Sequence, residues 1–415
     1  MKGSEKMKVG IGFATGRKNF QRVLRTYMSS FMESGLVENY RISLNLLIAY
    51  DLTYQKTKAT DYTRIPPEIV EQIDSAKFIG NSCTKEEINY LINENVLNLQ
   101  EALMIFGKGY AAKRNAVLYY AVKQNIEYLI FLDDDEYPVA VTNTRGSAVW
   151  GGQHVVATHL KHIIKADITH GRHCGYISPI PFVEFNDTMT EADFRLFIEA
   201  ISNDIVNWDT VRIIMKNGGV TYADTKVLTS DDAVEVREVN NSKFISGANL
   251  GINLTDPRRV LPFYNPPGAR GEDTFLSTCL SDRKVLKVPC YTFHDGFSTY
   301  NHLLSGVLPT KLRFITADSE QIVNRFYKAC IGWIRYKPLF LYNTQPDCYE
   351  ENIKNIHKQL NEVLPKICTY FDQPAFMDIL TELEKYHSNV KKHNQEFLET
   401  QRIWAKIMDH FASQK

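Results

Sequence analysis

Short apolar runs alternate with amphipathic stretches along the first part of the chain. Residues 9–14, 42–50 and 128–132 are apolar runs of the length of a buried strand. Residues 20–32 and 111–124 carry apolar side chains at helical spacing, so we expect a helix in each. This alternation predicts parallel strands joined by right-handed crossovers, and hence an α/β fold.

Further along the chain, residues 175–182, 243–254 and 284–293 have the apolar character of additional strands. Two stretches rich in glycine and in polar or proline residues, 142–152 and 263–271, are typical of loops. The second of these loops leads into a short predicted helix.

The pattern changes from about residue 308, where apolar residues recur at helical spacing. We therefore predict two domains, an α/β domain over 1–305 and a mostly helical domain over 306–415. The helical domain is expected to form a layer packed against the first. Two alternatives stay open. These helices pair two copies into a homodimer, or they dock on a membrane surface or a partner, because residues 333–337 mix aromatic and basic side chains.

Composition narrows the class of protein. Of the 415 residues, 44% are hydrophobic, which is ample for a sizeable core, and 48 Lys and Arg balance 48 Asp and Glu. Zero net charge argues against nucleic acid as the partner, because binding a phosphate backbone needs clustered positive charge.

The seven cysteines are dispersed and odd in number, which favours reduced thiols. The polar start and the absence of a long apolar run predict a cytoplasmic protein with no membrane span.

Four consecutive acidic residues, Asp133 to Glu136, follow the apolar run 128–132. We call them the acid cluster. Ligands of open α/β sheets bind at the carboxyl ends of strands, and packed carboxylates repel one another unless a cation lies among them. Mg²⁺ and Mn²⁺ prefer such oxygen ligands, often together with substrate phosphates. The cluster therefore predicts a metal-assisted enzyme acting on a phosphate-containing substrate. The alternative is a solvated turn or a helix N-cap.

Six features follow one another along the α/β domain. They are Asp51, Lys113-Arg114-Asn115, Phe131 to Asp135, Ser246-Gly247-Ala248-Asn249, Gly271-Glu272-Asp273 and His294. In this order and spacing the chain resembles glycosyltransferases of the GT-A fold, in particular those of family 2. The resemblance implies a Rossmann-like mixed sheet flanked by helices and a nucleotide-diphosphate sugar as donor. The predicted helical domain lies outside it.

The resemblance also implies roles for single residues. Asp135 is expected to bind Mn²⁺ or Mg²⁺ directly, with His294 as a second ligand. Asp273 is expected to act as general base on the acceptor hydroxyl in an inverting transfer. The residues expected to contact the nucleotide sugar are Thr15, Arg17, Asp51, Arg114, Asp133 and Asp134.

Most of these roles have a structural alternative. A lone histidine such as His294 is more often structural than ligating. Asp51 has the alternative of an ordinary turn residue. Asp273 has the alternative of complementing only the dipole of the helix that it begins. Arg114 has the alternative of holding the acid cluster in place.

The function predicted from the sequence is metal-dependent transfer of a sugar from a nucleotide-diphosphate donor to a glycan or another hydroxyl acceptor. A UDP-sugar is favoured and a GDP-sugar is the alternative, and surface polysaccharide or glycoconjugate synthesis is the expected setting. Three rivals stay open: a sugar-phosphate nucleotidyltransferase, an aspartyl phosphotransferase, and a noncatalytic nucleotide-sugar-binding protein. The sequence names neither the sugar nor the acceptor, and it leaves inversion against retention undecided.

A group of histidines lies close together after the acid cluster. It comprises His154, His159, His162, His170 and His173. Their spacing matches no common zinc pattern, so a zinc site is disfavoured. We expect solvated or acceptor-facing histidines instead.

Overall fold

The computed structural model describes residues 6–37, 41–203 and 207–414. The first five residues of the polar start lie outside this described part, as does residue 415 of the predicted helical domain.

The described strands form one mixed sheet and a separate hairpin. The strands are β1 Met7–Thr15, β2 Ile42–Tyr50, β3 Ser75–Ile79, β4 Tyr128–Phe131, β5 Glu136–Tyr137, β6 Val139–Thr144, β7 Ser147–Gly152, β8 Ile168–Tyr176, β9 Val234–Glu235, β10 Leu250–Asn253 and β11 Val285–Asp295. The sheet runs in the order β3-β2-β1-β4-β10-β8-β11-β5, and β9 pairs with β11. The first four strands are parallel, whereas β10 is antiparallel to both of its neighbours. The predicted α/β fold with a mixed sheet is thus confirmed.

Helices flank this sheet, and further helices follow it. They are α1 Phe20–Glu33, α2 Thr60–Thr63, α3 Pro67–Val70, α4 Asn81–Asn93, α5 Leu99–Phe106, α6 Tyr110–Lys123, α7 Val155–Ile163, α8 Glu191–Ile201, α9 Trp208–Lys216, α10 Thr225–Leu228, α11 Glu272–Ser277, α12 Glu320–Thr344, α13 Tyr349–Tyr370, α14 Asp378–Ser388 and α15 Val390–Ser413. The helices predicted over 20–32 and 111–124 correspond to α1 and α6. None of the helices in the described ranges combines the length and the apolar run that a bilayer crossing requires.

Three predictions about single elements are wrong in detail. The strand expected at 175–182 lies earlier, as β8, because its buried residues include Thr169 and His170 and so lack an apolar signal. Of 243–254, only β10 is a strand. The loop expected at 142–152 belongs to the hairpin β6–β7. Its turn residues Arg145 and Gly146 both have positive φ, as a tight hairpin turn requires.

Helix α6 packs closely on β1 because a glycine faces it. A Cβ at Gly12 would lie 2.8 Å from Cγ1 of Val117 on α6, closer than two carbon atoms can approach. This contact fixes the depth at which α6 sits on the sheet. It thereby sets the position of Arg114, one turn earlier on the same helix.

The predicted helical character after residue 308 is confirmed by α12 to α15. The last helix, α15, buries Ile403, Trp404 and Ile407 in the same apolar cluster as Val117 and Leu118 of α6. Trp404 also donates a hydrogen bond from Nε1 to the carbonyl of Val260, at 3.0 Å. Helix α15 therefore completes an apolar core that includes strands of the sheet, whereas α12 to α14 contribute to a separate apolar cluster. The boundary at residue 305 stays a prediction.

We predict that Trp404→Ala lowers the free energy of unfolding by about 3–5 kcal/mol, because it removes a buried indole and leaves a buried carbonyl without its donor. Urea unfolding followed by circular dichroism measures the change. Leu398→Ala on the same helix is the control, since this side chain is 55% exposed and its loss should cost little. Equal effects of the two substitutions would contradict the packing described for α15.

Candidate active site

The carboxyl ends of β1, β2 and β4 lie side by side, because these strands are parallel neighbours. Thr15 ends β1, Asp51 directly follows β2, and the acid cluster begins two residues after the end of β4. This edge is where open α/β sheets place their ligands. A cavity of about 660 Å³ opens there, and we call it the acid cavity.

Every site residue predicted from the sequence lines the acid cavity. They are Thr15, Arg17, Asp51, Arg114, Asp133, Asp134, Asp135, Asp273 and His294. Some come from distant parts of the chain: His294 Nε2 is 3.3 Å from Asp135 Oδ2 across a separation of 159 positions. The structure therefore brings these residues together, and their roles in binding and catalysis stay predictions.

Arg114 joins the segments that form the floor of the acid cavity. Its guanidinium is almost fully buried and lies 3.2 Å (Nη2) from Asp133 Oδ1 and 3.4 Å (Nε) from Glu272 Oε1. Its Nη1 donates a hydrogen bond to the carbonyl of Gly247 at 2.6 Å. The contacts match the structural alternative for Arg114, that of holding the acid cluster in place.

Three aromatic rings surround this guanidinium, and the side-chain amide of Asn115 holds the residue that carries one of them. The guanidinium carbon lies 5.0 Å from the ring centres of both Tyr110 and Phe131, and 5.3 Å from that of Phe263. The next residue, Asn115, donates to the carbonyl of Phe263 and accepts from its N–H, at 2.9 and 2.8 Å. The side chain of Asn115 on α6 thus anchors the loop before α11 by binding both polar backbone groups of Phe263.

Arg17 lies on the other side of the acid cluster. Its Nε is 2.9 Å from Asp134 Oδ1 and its Nη2 is 2.7 Å from Asp135 Oδ2. Thr15 donates a hydrogen bond to the second oxygen of Asp134. Because Asp135 also contacts His294, its carboxylate lies between two basic groups.

These contacts set the protonation of the site. Burial raises the pKa of Asp133 to about 6 and that of Asp134 to about 7. Burial would also raise the pKa of Asp135, but His294 and Arg17 hold it well below its usual range. Conversely, Asp135 overcomes the effect of burial on His294 and raises the pKa of that imidazole to about 9. Asp135 is therefore ionised at neutral pH, whereas burial shifts Asp133 and Asp134 toward their protonated forms.

The predicted metal pair consists of one carboxylate and one imidazole. Across residues 6–37, 41–203 and 207–414, no group of three or more His, Cys, Asp or Glu side chains is arranged to hold a metal ion. Mg²⁺ often takes only one or two protein carboxylates and draws the rest of its ligands from substrate phosphates and water. Asp135 and His294 are two groups only, and the imidazole would have to lose the proton that it shares with Asp135 before it could bind a cation. The metal site stays a prediction.

Asp273 lies in the first turn of α11, which begins after Gly271 in a left-handed conformation (φ +93°). Its Oδ2 accepts a hydrogen bond from the N–H of Gly247 at 2.8 Å, and its Oδ1 accepts from the N–H of Thr274 at 2.9 Å. These bonds hold the carboxylate in one orientation on the wall of the cavity. They suit both the predicted base and the alternative of complementing the helix dipole.

Asp51 lines the cavity together with Tyr54 and Lys113. Its Oδ1 accepts hydrogen bonds from the N–H and the hydroxyl of Thr53, at 2.8 and 2.7 Å. Asp51 is thus a turn residue, as its structural alternative states. Its position at the cavity also keeps the predicted contact to a nucleotide base open.

A chain of three hydrogen-bonded side chains was not recognised in the sequence. His173 Nε2 lies 2.8 Å from Ser246 Oγ, and its Nδ1 lies 3.0 Å from Glu136 Oε1. All three residues line the acid cavity. The order is that of a nucleophile, a base and an orienting acid. Each residue stood in a motif noted in the sequence, but no spacing joins them.

The expectation of solvated or acceptor-facing histidines is wrong for two members of the histidine group. His159 is buried and hydrogen-bonded to Thr169 Oγ1 at 2.6 Å and to Asn249 Oδ1 at 2.7 Å. His170 is also buried, and its ring packs edge-on against Phe244. These histidines belong to the interior of the sheet, because β8 and α7 pack together there.

The fold and the site define an α/β protein with a mixed sheet and an acidic cavity at the carboxyl ends of its parallel strands. No protein-family model matches the chain. No curated protein shows a significant match to it.

We predict that Arg114→Ala lowers the free energy of unfolding by about 3–5 kcal/mol, because it leaves buried carboxylates without their partner. Arg114→Lys should recover only part of this loss, since an ammonium cannot reproduce the planar fork of contacts. Arg258→Ala is the control, because its ion pair with Asp409 is exposed at both ends and should contribute less than about 1 kcal/mol. Chemical denaturation compares the variants, and full rescue by lysine would contradict the geometry described.

Proposed function

We propose that the protein is a glycosyltransferase of GT-A type that uses a nucleotide-diphosphate sugar as donor. The observation that carries the proposal is the convergence of the acid cluster, Asp273 and His294 on one cavity. Sugar transfer needs a site for a diphosphate and its cation, and a carboxylate that can accept the proton of the acceptor. The acid cavity offers both kinds of group.

In this proposal the nucleoside half of the donor lies against the ends of β1 and β2. A Cβ at Gly16 would lie 2.6 Å from Cβ of Tyr54, so the turn after β1 packs tightly on the loop after β2. Asp51 and Tyr54 then face the base, and Asp133 faces the ribose. A UDP-sugar is the favoured donor and a GDP-sugar the alternative.

The diphosphate lies next to Arg17, Asp135 and His294. When bound, Mn²⁺ or Mg²⁺ would neutralise the negative charge that grows on the leaving diphosphate. Arg17 supplies a second positive charge at the same place. Its bonds to Asp134 and Asp135 orient it toward the cavity.

Asp273 is the proposed general base. As the bond between the anomeric carbon and the diphosphate oxygen breaks, its electron pair leaves with the nucleoside diphosphate. The acceptor oxygen forms the new bond to that carbon, and its proton passes to Asp273. The hydrogen bond from Gly247 N–H keeps the carboxylate oriented for this step.

We predict that UDP-sugars with Mn²⁺ raise the melting temperature of the protein and are slowly hydrolysed to UDP. Asp135→Ala should reduce turnover at least about 100-fold, because the diphosphate loses its cation site. A donor panel with and without EDTA tests this. The matched control is Asp231→Ala, whose carboxylate is 91% exposed and lies outside the cavity.

Other outcomes of the same panel distinguish the rivals. Release of pyrophosphate from a nucleoside triphosphate and a sugar phosphate identifies a nucleotidyltransferase. Stabilisation by nucleotide sugars without any turnover, with every acceptor tried, favours a binding protein. No response to any nucleotide, with or without metal, would refute the proposed function.

We predict that Asp273→Asn lowers kcat about 10²- to 10⁴-fold while donor affinity changes little, because the amide keeps its shape but cannot take a proton. Steady-state kinetics with a responsive donor and calorimetric titration of UDP separate these quantities. Asp282→Asn, an exposed carboxylate, serves as the control. A kcat within threefold of the parent would remove Asp273 from the mechanism.

A serine hydrolase is the second candidate, and the Ser246–His173–Glu136 chain favours it. The surroundings weigh against it, since Asp273 holds the N–H of Gly247 next to Ser246 and the acid cluster would repel an oxyanion. Covalent labelling of Ser246 by a fluorophosphonate, together with no nucleotide response, would favour the hydrolase.

A further inference from the structure

A second cavity of about 590 Å³ lies between the end of β11 and the start of α12. We call it the basic cavity. Its lining includes the cationic side chains of Arg313, Arg325 and Lys328, and Asp318 is its acidic residue. It shares no lining residue with the acid cavity.

The charges of the three cations of the basic cavity are not neutralised by direct ion pairs with the carboxylates of the described residues. In the described part of the chain, none of them forms an ion pair with a carboxylate within 4 Å. Asp318 instead accepts a hydrogen bond from Thr316 Oγ1 at 2.7 Å. Like charges that converge on one concave surface repel one another, so the cavity has an electrostatic preference for an anion.

Arg325 is the most buried of the three cations. Its guanidinium is half-buried, with its carbon 5.6 Å from the centre of the Phe297 ring. Burial and the nearby charge of Arg17 both lower the pKa of Arg325. A cation that is partly removed from water and repelled by another cation gains more from a bound anion than an exposed one.

Neutral groups of the cavity suit an oxyanion with an attached organic part. Ser319 caps the N-terminus of α12, a helix of 25 residues whose positive dipole end faces this region. Thr299 and Asn324 add polar side chains, and Phe314 is 56% exposed and offers an apolar surface. Two arginines supply the planar forks that match phosphate oxygens.

The basic cavity also lies close to the acid cavity. Phe297 follows His294 by three residues at the end of β11. Arg325 also lies close enough to Arg17 of the acid cavity for the two charges to interact. A ligand held by Arg325 can therefore extend toward the site of the proposed chemistry.

We propose that the basic cavity binds a phosphoryl group, and that this group belongs to the acceptor substrate. Binding of the phosphoryl group is independent of sugar transfer. Its assignment to the acceptor rests on the proposed function. The phosphate is carried either by a soluble glycan or by a lipid headgroup.

Calorimetric titration with inorganic phosphate, at low salt and without nucleotide or metal, tests the binding site. Arg313→Gln combined with Lys328→Gln should weaken phosphate binding at least about tenfold, because both charge-assisted contacts are lost. These side chains are exposed, so the variant is expected to fold normally, and its melting temperature verifies this. The half-buried Arg325→Gln is the second variant. Lys311→Gln is the matched control, as an exposed cation on the same segment that does not line the cavity.

Three results overturn the site: no phosphate binding by the parent protein, equal binding by the double variant, or loss of binding in Arg17→Gln alone. The last result would place the phosphate in the acid cavity. A failed donor panel with phosphate binding intact would refute the proposed function and leave the phosphoryl site standing.

Two further ligands test whether the phosphate is carried by a lipid headgroup or by a soluble glycan. Vesicles of phosphatidylcholine with and without phosphatidic acid are sedimented with the protein, and glucose 1-phosphate is titrated in parallel. Retention on the phosphatidic acid vesicles that is lost in the double variant, but not in Lys311→Gln, supports a lipid headgroup. Binding of the sugar phosphate alone supports a soluble glycan. Activity toward a phosphate-free acceptor that equals activity toward its phosphorylated form would overturn the assignment to the acceptor.

Discussion

The guanidinium of Arg114 lies where four segments of the chain meet. It contacts the acid cluster after β4, Glu272 at the start of α11, the backbone of Gly247 before β10, and the rings that surround it. The carboxylates of Asp133 and Glu272 and the carbonyl of Gly247 are polar groups that would be costly to bury alone. The pairing of these groups with one cation allows a carboxylate-rich edge to pack against an apolar sheet. Burial, together with the charge of Asp273, still raises the pKa of Glu272 to about 7.

The way in which each strand is buried explains which strands the sequence could predict. Strands β1, β2 and β4 are buried over most or all of their length, and burial demands the continuous apolar runs that are visible in the sequence. Strand β8 is equally central but carries Thr169 and His170. The hydroxyl of Thr169 is satisfied by His159, ten residues earlier on α7. Such a strand looks polar in the sequence, because its hydrogen-bond partner comes from another element.

The same reasoning separates the predicted from the unpredicted site residues. Asp133, Asp273 and His294 each stand at the boundary of a recognisable element, so their convergence follows from the topology of an α/β sheet. The contacts of Ser246, His173 and Glu136 depend instead on the antiparallel insertion of β10 beside β8. Local sequence patterns do not encode that pairing. The sequence likewise did not predict the ion pairs of Arg17. This residue lies in the turn after β1, and sequence alone does not give the direction of its side chain.

Arg17 balances part of the negative charge in the acid cavity. Its guanidinium contacts Asp134 and Asp135 with two different nitrogens, so it neutralises part of the acid cluster by itself. If the proposed donor binds here, its diphosphate would compete with these carboxylates for Arg17. Asp135 then loses one of its two basic partners, and its carboxylate is left to attract another cation. A cation that arrives together with the diphosphate meets this need, whereas a cation alone must first displace the guanidinium. In the proposed function, metal affinity would therefore depend on whether the diphosphate occupies the cavity.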